Sequence, residues 1–264
     1  MTLLQLVVLA LIQGLTEFLP VSSSAHLILG SWLLDWPDQG LVIDVAIHFG
    51  TLFAVVIYFR KDLQQMVAAW FPGAGESRPR KRQLGLYIAI ASIPVLLAGF
   101  LLAGLVESSL RDVRVIAVTT IVFGLLLWLA DAKFARSRNI GDMRLSPALL
   151  IGIAQVLALI PGASRSGVTM TAGRMLGFSA TASARFSFLL AIPVLAAAGG
   201  YGFLRVLSDN TQLAWGSFAL AVGLSALAGL LCIKVFLFLL ERVGLVPFVI
   251  YRLCLGVVLL VLAL

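Results

Sequence analysis

Two short polar stretches carry the residue types that phosphoryl chemistry uses, and both interrupt apolar runs. The first offers Gln13, Glu17, Ser22, Ser23, Ser24 and His26, and the second, Pro161 to Thr169, offers Ser164, Arg165, Ser166 and Thr169. Flanked by Leu157, Ile160, Met170 and Leu176, Arg165 needs an anionic partner or a wet cavity. Its guanidinium and the neighbouring hydroxyls donate to phosphate oxygens, while Gly162 and Gly167 let backbone amides approach a ligand. A helix resuming near Ser166 turns its positive dipole end toward the loop. That is a phosphate cradle without a P-loop lysine.

Gln13 and Glu17 are four apart, hence on one helical face. A carboxylate near the C-terminal end of a half-helix is disfavoured by the dipole, so a bound cation is expected, with Mg2+ or Ca2+ suited to an oxygen-only set of Gln13 and Glu17. Direct pairing of Glu17 with Arg165 is the simpler reading, and the two agree if phosphate comes between them. Of Ser22 to Ser24, one is expected to cap the returning helix. His26 lies close enough to a hydroxyl to form a nucleophile with its base, or to attack phosphorus itself. Asp44 and His48, also four apart, are weaker candidates that would pack behind the first elbow.

The elements that position these groups follow from composition. Of 264 residues, 61% are hydrophobic and 12% charged, and mean hydropathy is +1.08, which excludes a soluble domain and points to an all-α polytopic membrane protein. The net charge of +7 gathers in loops, where it reports topology rather than nucleic acid. Cys232 and Cys254 lie inside apolar runs and are expected as buried thiols. The N-terminal segment lacks the basic region of a signal peptide, since the first Lys or Arg is Arg60.

About 15 helical residues cover roughly 22 Å of a hydrocarbon core of roughly 30 Å, so the run from Leu3 ends its first polar elbow inside the bilayer. Helix, polar elbow, helix is a re-entrant hairpin, expected over 1–36, with Trp32, Asp35, Trp36, Pro37 and Asp38 marking the return to the interface. Crossings are expected at 42–59, 84–106 and 115–130, with an interfacial helix near Gln64–Phe71. A second hairpin over 147–177 precedes crossings at 186–204, 213–240 and 247–264. Repeat one (1–131) and repeat two (147–264) thus match in outline, with Gln13, Pro20 and Ser23 set against Gln155, Pro161 and Ser164, one residue out of register. An odd number of crossings inverts the second copy, so the hairpins enter from opposite faces and meet tip to tip. The loops holding Arg60, Lys61, Arg78, Arg80, Lys81 and Arg82, and Lys133, Arg136, Arg138 and Arg144, are expected to be cytoplasmic, with both termini outside. Lys234 and Arg252, six or seven residues inside their runs, read as snorkelling side chains.

The segments Gln13 to His26 and Pro161 to Thr169 resemble the two signatures of bacterial undecaprenyl pyrophosphate phosphatases of the bacitracin-resistance type, and Phe186 to Pro193 is similar as well. The resemblance implies hydrolysis of a polyprenyl diphosphate to the monophosphate and inorganic phosphate, recycling the carrier for cell-wall synthesis at the bacterial plasma membrane. It implies an acidic pair at Gln13 and Glu17, an elbow hydroxyl at Ser23, a histidine at His26, and a phosphate clamp of Ser164, Arg165 and Thr169. The chain departs from the pattern where Gln13 replaces a frequent Glu and Ala25 a frequent Gly. Expected partners are the lipid diphosphate and the membrane, with a homodimer held open and no nucleic acid. A transporter or flippase of a phosphorylated lipid, built on the same inverted repeat, is the competing reading.

Overall fold

The computed structural model describes residues 2–34, 36, 39–71, 78–109, 112–208 and 214–263. The interfacial residues Asp35, Pro37 and Asp38 lie outside the described residues, as do Leu213 and Leu264 at the ends of two expected crossings. All regular elements among the described residues are helical. In chain order they are α1 (Leu3–Thr16), α2 (Ser23–Leu33), α3 (Gly40–Tyr58), α4 (Arg60–Ala68), α5 (Arg78–Ser109), α6 (Val113–Lys133), α7 (Leu145–Ala154), α8 (Arg165–Met175), α9 (Ala180–Ser208), α10 (Trp215–Val243) and α11 (Val246–Leu262). A 3-10 turn, Gln155–Leu159, continues α7 toward the second elbow.

Among the described residues, five helices are long and apolar enough to cross a membrane: α3, α5, α6, α9 and α10. The run expected to cross at 247–264 forms α11, whose 17 residues reach about 25 Å, slightly short of a core of roughly 30 Å. Gly244, at φ 69°, ends α10, and Pro247 stands in the first turn of α11. α1, α2 and α8, with 14, 11 and 11 residues, are shorter still, and they hold the polar stretches at their ends.

α1 packs on α10 and α7 on α5, while α3 packs on α9 and α6 on α11. This arrangement leaves both elbows surrounded by protein, the condition for a broken helix in an apolar medium. Within the largest core cluster, Phe18 meets Phe188 edge to face at 5.3 Å, and Phe188 also touches Phe59 and Phe236. Phe18 follows Glu17 directly, so the core anchors the carboxylate's place on the chain.

The end of α8 is pinned by charge. Arg174, fully buried, donates through Nε to Asp131 Oδ1 at 2.8 Å and through its other nitrogens to the Asp131, Ala135 and Phe178 carbonyls. Arg136 approaches the other Asp131 oxygen at 3.7 Å from a more exposed position. Both cysteines are reduced; Cys232 is buried and bonds the Leu15 carbonyl, but Cys254 is exposed on α11, against expectation. Its position on the outward stripe of the helix, between buried Arg252 and Leu255, accounts for that. Replacing Arg174 with Met leaves the Asp131 carboxylate only the longer contact with Arg136, so thermal or denaturant unfolding in detergent should show a loss of about 3 kcal/mol, the low end for breaking a buried ion pair on one side.

Candidate functional site: two elbows held face to face

Each elbow is built around a serine in a conformation that side chains rarely adopt. Ser22 and Ser164 both have φ 71°, and each caps the helix that follows: Ser22 Oγ accepts from the Ala25 amide at 3.4 Å and Ser164 Oγ from the Gly167 amide at 3.2 Å. Each also pairs with the hydroxyl two residues on, Ser22 with Ser24 at 3.1 Å and Ser164 with Ser166 at 3.2 Å. The equivalence is therefore Ser22 with Ser164, which aligns Gln13 with Gln155 without a slip. The out-of-register match of Ser23 to Ser164 is corrected by the backbone.

The elbows touch. Arg165, first in α8, donates through Nη2 to Glu17 Oε1 at 3.2 Å and through Nη1 to the Ser187 carbonyl at 3.1 Å. Glu17 Oε2 accepts from Gln13 Nε2 at 3.0 Å and from Ser23 Oγ at 2.9 Å. One carboxylate thus gathers an amide, a hydroxyl and a guanidinium from both elbows. Two buried polar atoms here, Gln13 Oε1 and Arg165 Nε, have no partner among the described residues. An acceptor such as a phosphate oxygen would satisfy the guanidinium nitrogen, and a cation the amide oxygen.

Several expected donors are already engaged. Ser166 Oγ donates to the Leu19 carbonyl at 2.8 Å, a bond from one elbow to the other. Thr169 Oγ1 lies 2.7 Å from Ser187 Oγ and 2.8 Å from the Arg165 carbonyl, so it pins α8 to α9. His26 does not pair with Ser23. Its Nδ1 lies 2.7 Å from the Ser22 carbonyl and its Nε2 2.6 Å from the Tyr251 hydroxyl on α11. His48 Nδ1 bonds the Asp44 carbonyl at 2.7 Å and Asp44 Oδ1 accepts from Gln39 at 2.8 Å, bonds that stay within α3 and its leading turn rather than reaching the elbow.

The largest departure from the sequence reading is Arg252. It does not snorkel: it is fully buried and donates to four backbone carbonyls. These are Pro20 of the first elbow at 3.1 Å, Gly162 and Ala163 of the second at 2.9 and 3.1 Å, and Thr120 of α6 at 3.2 Å. The two glycines expected to admit a ligand lie against protein instead, Gly167 against the clamp and Gly162 against α6. A Cβ on Gly167 would stand 2.7 Å from Arg252 Nη1, and Gly162, at φ +88°, lies against Thr119 and Ile116 of α6. Thr119 Oγ1 takes up the Pro161 carbonyl at 2.6 Å. Ser187 and Arg252 are the site residues that the sequence reading missed. Ser187 falls inside the stretch 186–193 already singled out, so its signal was present; Arg252 carried none, because its partners are carbonyls.

The model of the bacitracin resistance protein BacA family matches residues 6–258. An undecaprenyl-diphosphatase of Teredinibacter turnerae is 50% identical over 260 residues, covering 98% of this chain and 98% of the relative. Undecaprenyl-diphosphatase 1 of Pseudoalteromonas translucida is 52% identical over 262 residues, 99% and 98% of the two chains. Undecaprenyl-diphosphatase 2 of Stutzerimonas stutzeri is 52% identical over 266 residues, again 99% and 98%.

Substituting Arg252 with Met would bare carbonyls in three segments at once. Each charged hydrogen bond contributes about 1.5–3 kcal/mol, so Arg252→Met should unfold at markedly lower temperature in detergent than Arg165→Met. Arg252→Lys should recover little, since one ammonium cannot span four acceptors on separate segments.

Proposed function

The chain belongs to the bacitracin resistance protein BacA family, and from that premise we propose that it hydrolyses undecaprenyl diphosphate to the monophosphate and inorganic phosphate, returning the lipid carrier to cell-wall synthesis. The observation that carries this reading is the Ser23 hydroxyl donating to Glu17 at 2.9 Å while Arg165 holds the other carboxylate oxygen at 3.2 Å. A hydroxyl on a carboxylate is a nucleophile with its base, and a guanidinium beside them is the counter-charge a diphosphate requires.

In the proposed sequence the diphosphate enters between Glu17 and Arg165, and its oxygens take the Arg165 donors, Nε included. The first-turn amides of α8 at Arg165 and Ser166, which have no intrahelical acceptor, face the same charge. Glu17 accepts the Ser23 proton as Oγ attacks the terminal phosphorus. The bridging P–O bond breaks, and its electron pair leaves with the lipid monophosphate. Water then displaces the Tyr251 hydroxyl from His26 Nε2 and gives that nitrogen a proton as it attacks the phosphoserine; the Ser23 oxygen leaves and takes back the proton on Glu17, and His26 gives its proton up to solvent as phosphate departs. Ser187 and Thr169 keep the Arg165 fork aimed at the carboxylate.

The residues also fit a divalent cation. Gln13 Oε1 is a buried oxygen without a partner, and Glu17 adds a carboxylate, so the donor set is all oxygen and suits Mg2+ or Ca2+ completed by phosphate and water. Among the described residues no group of three His, Cys, Asp or Glu gathers, so the proposed ion would take its remaining ligands from substrate and water. When bound, the ion would neutralise phosphoryl charge.

The shared geometry of the elbows, and the packing of α1 on α10 and α7 on α5, support reading the chain as an inverted repeat of two re-entrant hairpins with three crossings each. With the basic loops cytoplasmic, both termini and the head-group entrance then lie on the outer side of the bacterial plasma membrane. A carrier on the same architecture needs charge at the elbows but no hydroxyl seated on a base, so the Ser23–Glu17 bond favours the enzyme.

Purified protein in detergent should release phosphate from a polyprenyl diphosphate, stop in chelator and recover on adding Mg2+ or Ca2+. Glu17→Ala and Arg165→Ala should each lose at least about a hundredfold in kcat/KM. Full turnover in both variants would sink the assignment. Rapid acid quench should trap phosphate on Ser23 and not on a Ser23→Ala protein.

A further inference from the structure

Tyr251 and Arg252 are neighbours on α11, and each reaches an elbow. The four carbonyl bonds of Arg252 fix the turn of helix that carries Tyr251. From there the Tyr251 hydroxyl lies 2.6 Å from His26 Nε2, and the two rings stack with centroids 5.6 Å apart and planes 6° apart. On the opposite side of the imidazole, Nδ1 lies 2.7 Å from the Ser22 carbonyl oxygen. A carbonyl only accepts, so Nδ1 carries the proton; in the neutral ring Nε2 then holds the lone pair, and the phenol donates to it. The Ser22 carbonyl is aimed by the positive φ of its own residue, so both bonds to the ring come from parts of the fold with little freedom.

We propose that Tyr251 is a positioning residue for the reaction. The Ser22 carbonyl sets His26 as the Nδ1–H tautomer, and the Tyr251 hydroxyl holds Nε2 at a fixed angle one helical turn from Ser23; Nε2 takes a proton in the second step when the incoming water displaces the phenol from its lone pair. The use made of the imidazole rests on the phosphatase reading, whereas the tautomer rests on geometry alone. Without the hydroxyl, stacking persists but no donor meets the Nε2 lone pair. The ring is then held through Nδ1 by the Ser22 carbonyl alone, and Nε2 loses its second tether.

Tyr251→Phe keeps the ring and removes one oxygen from a side chain that is 46% exposed, so it opens no buried cavity. The chain has two histidines, so 15N-histidine labelling gives two imidazole signal sets, and a His48→Gln sample assigns them. In the unsubstituted protein His26 should read as the Nδ1–H form with a hydrogen-bonded Nε2. In Tyr251→Phe the Nε2 resonance should move to that of a free lone pair while Nδ1 stays protonated. Phosphate release by Tyr251→Phe should fall about tenfold in kcat with KM within about twofold, at an unchanged thermal midpoint. A His26 found as Nε2–H in the unsubstituted protein, or a Tyr251→Phe protein with unaltered 15N shifts and kcat, overturns the proposal. Should the unsubstituted protein release no phosphate, the hydrolysis reading falls and the spectrum alone decides whether Tyr251 directs the ring.

Discussion

A helix broken inside an apolar medium leaves carbonyls that no water will solvate, and the cost of even a few such groups exceeds what a fold can absorb. Arg252 answers this constraint for both breaks together. Four of its donors are spent on Pro20, Gly162, Ala163 and Thr120, and a single cation thereby neutralises dipoles from three segments. Thr119 and Ser166 cover Pro161 and Leu19. With the backbone accounted for in this way, Glu17 and Arg165 are left to face each other.

Two elbows of one local form serve opposite charges. Ser22 and Ser164 share a backbone angle, a cap and a hydroxyl partner two residues on, yet the helix entering the first elbow bears Glu17 and the helix leaving the second begins with Arg165. The carboxylate sits near a helix C-terminus and the guanidinium at a helix N-terminus, so each is unfavourably placed with respect to its own dipole. Their mutual pairing relieves both. A bound anion and cation would relieve them further, which is the physical sense in which the resting site is prepared for a charged ligand.

Much of this was legible in the chain. Polar stretches ending apolar runs too short to span, together with long unalternating runs elsewhere, specified the helical membrane class and the two elbows. The types at Gln13, Glu17, Ser23 and Arg165 pointed to one shared site, and the structure brings those four side chains into one network. What the sequence withheld were the bonds to backbone. Arg252 looks like any cation near a helix end until its carbonyl partners, up to 232 positions away, are known. Ser166 and Thr169 read as phosphate donors because their type is right, but their hydroxyls are spent on Leu19 and Ser187. His26 was expected beside Ser23, and its direction depends on a tyrosine 225 positions away. Glycines 162 and 167 were correct as markers of close approach and wrong about what approaches.

The clamp also has a bearing on biogenesis. Because a chain is elongated from its N-terminus, the ribosome delivers both elbows to the bilayer well before it delivers α11. Until then the nascent polypeptide must keep its unfastened carbonyls among the insertion machinery or in a wet, loosely assembled state. The site is therefore fastened by a segment translated after both elbows, and a product cut short before α11 would carry Glu17, Ser23, His26 and Arg165 yet lack what holds them in register.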